Sequence, residues 1–135
     1  MNNTVDLKNL DSYTPEELQS FKEQIHKVYV KKTKPLAYKS FEVMQEYLTE
    51  HGFKHIEGKD ERYFTNGRHG VFNCPHTCGS FEVWKDNPTI DRDKVIIGNI
   101  IAIRPNNFFG KDIEQEQYDI FLEKAKNNID FYSQN

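Results

Sequence analysis

Cysteine, tryptophan, charge of one sign and long apolar runs are all scarce in this 135-residue chain, and each scarcity excludes a class of protein. There are two cysteines, Cys74 and Cys78, four positions apart. A small secreted domain held together by disulfides carries more of them, at wider spacing. The longest apolar run, Val95 to Ile103, is too short and too interrupted to cross a bilayer. Residues 1–6 offer neither the basic segment nor the apolar core of a signal peptide. The expectation is a soluble, cytoplasmic protein with no membrane partner. Lysine plus arginine number 18 against 21 acids, a net charge of -3. That balance lacks the basic excess usual in nucleic-acid binders. It also lacks the low hydrophobicity with high net charge that keeps chains disordered. No glycine-rich phosphate loop and no serine nucleophile elbow occur, and Asp91-Arg92-Asp93 does not have the ligand spacing of a calcium loop. The reading leans away from an enzyme, although small enzymes can assemble a site from scattered residues.

What is present is a pattern of elements that one domain of ordinary size can hold. Residues 1–12 are polar and read as a flexible tail; residues 13–135 read as a single α+β domain. Thr14-Pro15-Glu16-Glu17 is a helix start, with Thr14 as cap, Pro15 at the first helical position and Glu17 closing a capping box. Leu18, Phe21, Ile25 and Val28 follow at spacings of three and four, an apolar stripe on a helix to about Val30. Lys34-Pro35 breaks and restarts the chain. Ala37, Phe41, Met44 and Leu48 line a second helix, and Gly52 ends it.

The middle reads as sheet: Phe53–Glu57, Arg62–Thr65, His69–Asn73 and Phe81–Lys85 are short aromatic or β-branched segments separated by turn residues. Asn66-Gly67 is a hairpin turn pair, so Arg62–Thr65 and Arg68–Asn73 should pair antiparallel. Lys94 to Arg104 reads as a strand apolar on both faces, so both should be covered, by helices on one side and by the rest of the fold or a second subunit on the other. The alternative is a hairpin turning at Gly98-Asn99. A last helix opens near Asp112, its stripe formed by Tyr118, Phe121, Leu122, Ala125, Ile129 and Tyr132. The class is therefore α+β: two N-terminal helices, a mainly antiparallel sheet of about five strands, and one C-terminal helix packed on the sheet.

Three features carry chemistry. The sharpest is His69-x4-Cys74-Pro75-His76-Thr77-Cys78-Gly79. Cysteine and histidine are the usual zinc ligands, and tetrahedral zinc takes four. The Cys-Pro…Cys-Gly turn resembles half of a zinc knuckle, with three rather than two residues between the cysteines and no second pair. A site would need His69 or His76, with His55 on a neighbouring strand as a further candidate. The bland reading is a turn with two core cysteines. Reversible disulfide formation and a nucleophilic thiol are further readings; the last needs a base within hydrogen-bond reach.

The second feature is the segment 26–39, which has no acid. Lys27, Lys31, Lys32 and Lys34, interleaved with Tyr29, could contact phosphates and bases, or simply complement the negative end of a helix. The third is a set of aromatics suited to contact. Asn107, Phe108 and Phe109 lie in a loop. Trp84 should point away from the core if Phe81 and Val83 face it.

The leading reading is a small protein-binding module, of the inhibitor or immunity type, acting through Trp84, Phe108, Phe109 and Asn107 without catalysis. A homodimer would cover the second face of the Lys94–Arg104 strand. The alternatives are a nucleic-acid-associated regulator using the basic segment 26–39, and a small zinc protein organised by His69, Cys74, His76 and Cys78, with zinc then the only cofactor. The excess of lysine over arginine and the many asparagines suggest a bacterial or phage genome.

Overall fold

The structure, a computed structural model, describes residues 6–90, 100–105 and 111–134. After a short 3-10 helix at Leu7–Ser12 come α1 (Pro15–Thr33) and α2 (Pro35–Glu50). Five strands follow: β1 (Lys54–His55), β2 (Tyr63–Thr65), β3 (Gly70–Cys74), β4 (Ser80–Trp84) and β5 (Ile100–Ile103). Helix α3 (Gln115–Ser133) closes the fold. The strands form one antiparallel meander in chain order, β1-β2-β3-β4-β5. This is the α+β layout expected. Part of the segment 1–12 read as a flexible tail is the 3-10 helix, held by a bond from the Lys8 N–H to the Asp6 carboxylate.

The capping box read from the sequence is present: Thr14 Oγ1 accepts from the Glu17 N–H, and Glu17 accepts from the Thr14 N–H. Gly52 ends α2 in the left-handed region, at φ 84°. Beyond it the Phe53 N–H reaches the Leu48 carbonyl at 2.9 Å, the bond that closes a helix and turns its next residue inward. Helix α2 restarts at Pro35 as expected, but what caps it was not legible. Its N-cap, Lys34, offers no side-chain acceptor. Asp112 supplies one from far along the chain, accepting from Leu36 N at 3.0 Å and Ala37 N at 2.9 Å. Asp112 therefore caps α2, and α3 starts later, behind a capping box of Glu114 and Gln117.

Register decides what each sheet face carries. Phe64, Val71, Val83 and Ile101 stand in one cross-strand row, with Phe81 opposite Ile103 beside it. This face packs on Met44 and Leu48 of α2 and on Phe121, Ala125 and Ile129 of α3, which form the main core. The β2–β3 loop runs Asn66–His69, two residues longer than a tight Asn-Gly turn. Asn66 Oδ1 accepts from the N–H groups of Arg68 and His69 and shapes it. The extra pair of residues shifts the register by two, which leaves every side chain on its expected face.

The opposite face carries Phe72, Cys74, Ser80, Glu82 and Trp84, and these five are buried. The face that was to present Trp84 is therefore not open. Trp84 is 1% exposed, and its indole N–H donates to Glu82 Oε1 at 3.2 Å. As an exposed contact residue Trp84 is ruled out by this burial. Ile90 lies against the same face at Gly70. The outer strand β5 is covered less well than expected: Ala102 is exposed, and Ile100 is half-buried. The Gly98-Asn99 question, and most of the Lys94–Arg104 strand, lie outside the described residues.

Candidate functional site

Three pieces of chain converge at one end of the sheet: the turn before β2, the β3–β4 loop and the α1–α2 junction. Arg62 is the residue they share. It stands just before β2, where its carbonyl accepts from Asn73 N at 2.8 Å, extending the β2–β3 ladder by one pair. That register puts it beside Cys74. Its guanidinium is clamped by Asp60, Nε to Oδ1 at 2.8 Å and Nη2 to Oδ2 at 2.6 Å. The clamp holds the Asp60 carboxyl below the usual carboxylate range. The guanidinium also lies over the Phe72 ring, 5.2 Å from its centroid.

The nitrogen left over, Nη1, sits 3.7 Å from Cys74 Sγ and 3.6 Å from Cys78 Sγ. The Cys78 backbone N–H also donates to Cys74 Sγ, at 3.1 Å. Neither cysteine is in a disulfide; Cys74 is fully buried and Cys78 is partly exposed. Hydrogen bonds from the Cys78 side chain and backbone, together with the Arg62 charge, outweigh burial and pull the Cys74 thiol down to about 6. Such a pair carries a thiolate at neutral pH, and the thiolate is the nucleophilic form.

Beside Arg62 a cleft of about 570 Å³ opens between the β-sheet end and α1, lined by Glu23, Lys27 and Val30 of α1 and by Tyr38, Arg62 and His76. His76 is buried under Phe41 and Tyr38, with ring centroids 4.2 and 5.5 Å away. Burial, helped by the nearby Arg62, His26 and Lys34 charges, pushes its imidazole down to about 4, so it is neutral. Its Nδ1 is buried without a hydrogen-bond partner. Tyr38 is pushed up to about 12 by burial and by Glu61 and Glu42.

The four residues of the zinc alternative are not brought together. His69 and Cys74 flank β3 from opposite ends, roughly 17 Å apart at about 3.4 Å per residue. The His69 Nδ1 accepts from Asp86 N at 3.0 Å, and its ring packs on Tyr132. His55 is exposed on β1, with Nε2 at 2.7 Å from the Asp60 carbonyl. Among the described residues no group of three or more His, Cys, Asp or Glu side chains could hold a metal ion. The space between the two thiols is faced by a guanidinium, which repels a cation.

The basic segment divides. Lys34 Nζ donates to the His76 carbonyl at 3.3 Å, Lys31 lies over the Tyr38 ring, and Lys27 lines the cleft. Lys32 and Tyr29 are exposed on α1. The contact candidates Asn107, Phe108 and Phe109 lie outside the described residues. Sequence reasoning missed Arg62 and Asp60. A correctly registered β2–β3 hairpin would have placed Arg62 next to Cys74, but nothing local to Arg62 announces it.

Helix α1 is the second feature of this end of the molecule. Only Val30 of its residues is buried. Ser20, Glu23, Lys27 and Val30, at spacings of three and four, look into the cleft. The apolar stripe is on the other side. Leu18 is 38% exposed, Ile25 61%, Val28 51% and the neighbouring Tyr29 64%. The expected stripe exists, but Leu18, Ile25 and Val28 face away from the body, and Phe21 is half-buried against the Tyr13 ring. No protein-family model, curated protein or solved structure matches this chain. Among the described residues no helix is long and apolar enough to cross a membrane.

Proposed function

We propose that this protein acts by protein–protein contact, with α1 as the contact element and the α1 of a second copy as its occupant. The orientation of α1 carries the reading. An amphipathic helix ordinarily turns its apolar stripe to the core; here the polar side faces the body, and Leu18, Ile25 and Val28 face out. Leu7 and Leu10, on the 3-10 helix that precedes it, are exposed as well. The stripe runs at spacings of three, four and three, the repeat by which paired helices interlock.

Charge argues for a second copy. Glu16 and Glu17 lie in the first turn of α1, and Lys31 and Lys32 in its last. Two such helices laid antiparallel about a two-fold axis set Leu18 against Val28 and Phe21 against Ile25. The acidic end of each then meets the basic end of the other. A two-fold contact requires this kind of self-complementarity. A nucleic-acid role for Lys27, Lys31, Lys32, Lys34 and Tyr29 has less behind it, because Lys31 and Lys34 are already engaged by Tyr38 and His76.

Sedimentation over a concentration series tests the reading, with Ile25→Asp/Val28→Asp as the variant. Both side chains are exposed, so the variant should melt like the parent. The expected result is a dimer that weakens in salt and a variant that is monomeric. A parent that stays monomeric at about 100 μM, far above the Kd of a stable interface, or a variant that still dimerises, overturns it.

A further inference from the structure

The Cys74–Cys78 pair has a geometry that the contact reading leaves unused. Neither cysteine is in a disulfide, and the turn after β3 folds Cys78 back so that its backbone N–H donates to Cys74 Sγ at 3.1 Å. A single guanidinium nitrogen serves both sulfurs at nearly equal distance, 3.7 and 3.6 Å. The rest of the guanidinium is locked on Asp60, which fixes where that nitrogen points. Cys74 is sealed, and Cys78 is partly exposed, next to Thr77 of the cleft lining.

We propose that Cys74 and Cys78 form a hydroperoxide-reactive dithiol that closes to an intramolecular disulfide, with Arg62 as the positioning cation. Because Nη1 faces both sulfurs alike, the negative charge of the pair can sit on either one, and the single remaining proton lies between them. The hydroperoxide reaches the open sulfur, Cys78. A thiolate electron pair forms the S–O bond, the O–O bond breaks, and the departing oxygen takes a proton to leave as water or an alcohol. Cys78 is then a sulfenic acid. The Cys74 sulfur attacks it, the S–S bond forms, the S–O bond breaks, and hydroxide leaves with a proton as water. Two thiols and one hydroperoxide thus become one disulfide, one water and one water or alcohol. Closure brings the sulfurs to about 2.05 Å.

The low thiol pKa, about 6, supports the same conclusion, since an ordinary cysteine is mostly protonated at neutral pH. Oxidation also removes the anion under Arg62 and so makes the cleft wall facing α1 more positive.

The experiment treats the purified full chain with stoichiometric hydrogen peroxide and follows free thiols and intact mass. The expected product has no free thiol, a mass lower by about two hydrogens and no intermolecular link. The rate should rise with pH as the pair loses its first proton. Cys78→Ser should leave one thiol and no disulfide. Arg62→Gln should slow the reaction about tenfold or more and move the midpoint up, while Arg62→Lys should recover part of both. Surviving thiols, over-oxidation to sulfinic acid in place of a disulfide, or an unmoved pH midpoint in a folded Arg62→Gln protein would overturn the proposal. The wild-type pH profile needs no variant, so it decides even if Arg62→Gln does not fold.

Discussion

The carboxylate of Asp112 holds the backbone N–H of Ala37, 2.9 Å away, across 75 positions of sequence. With the bond to Leu36 N it does for α2 what an N-cap side chain normally does from two or three residues away. It also ties the segment before α3 to the α1–α2 junction, where Ala37, Ile113 and Tyr118 form a small core of their own. Replacing Asp112 by alanine should cost about 1–2 kcal/mol, seen as a Tm lower by roughly 3–6 °C for a chain of this size. Asp112→Asn, which keeps one acceptor, should lose less. Thermal unfolding by circular dichroism measures both.

Trp84 is the only tryptophan, so its fluorescence reports its site alone. A buried indole bonded to Glu82 should emit to the blue of free tryptophan and resist acrylamide quenching until the protein unfolds. Glu82→Ala removes the acceptor of both the indole N–H and the Ser80 hydroxyl. The cost should be about 1–3 kcal/mol, read from urea denaturation with the same fluorescence.

Gly70 is packed too tightly for any side chain. A Cβ there would stand 2.2 Å from Ile90 Cγ1 and 2.6 Å from the Asn87 carbonyl oxygen. Ile90 can repack, but the backbone oxygen cannot. Gly70→Ala should therefore destabilise by about 1–3 kcal/mol, and Ile90→Ala should rescue it only in part, which a double-mutant cycle in urea measures.

Acid should weaken the fold through His76. Burial first, then the neighbouring Arg62, His26 and Lys34 charges, lower its imidazole from 6.5 to about 4. Between those values the unfolded chain takes up a proton that the folded protein refuses. The His76 contribution is complete above about pH 6.5 and is lost as pH falls through about 4. Urea midpoints should fall across this window, and a His76→Gln protein should show a flatter profile.

Much of the fold was legible in local pattern. The capping box at Thr14 and Glu17, the Gly52 stop, the stripes of α2 and α3 and the alternation of β4 each depend on residues a few positions apart, whose geometry the backbone dictates. The candidate site was legible only in half. Cys74 and Cys78 stood out as a pair, but their partner did not, because Arg62 joins them through strand register rather than through spacing. His69 looked like their neighbour because it is close in sequence, and an extended strand carries it to the far end of β3.

The same division holds for the whole molecule. Period and capping chemistry, which are local, determined where α1 begins, where α2 ends, which faces are apolar, and that the class is α+β. What covers each face is a question of where other elements go, and only the tertiary structure decided it. It buried Trp84 on a face that the alternation alone left open, and it turned the stripe of α1, Leu18 to Val28, outward. The physical reason is that periodicity states how a helix or strand is two-sided. Which side meets the body depends on the summed packing of the chain, and at α1 that sum put the polar side, Glu23 and Lys27, against the cleft.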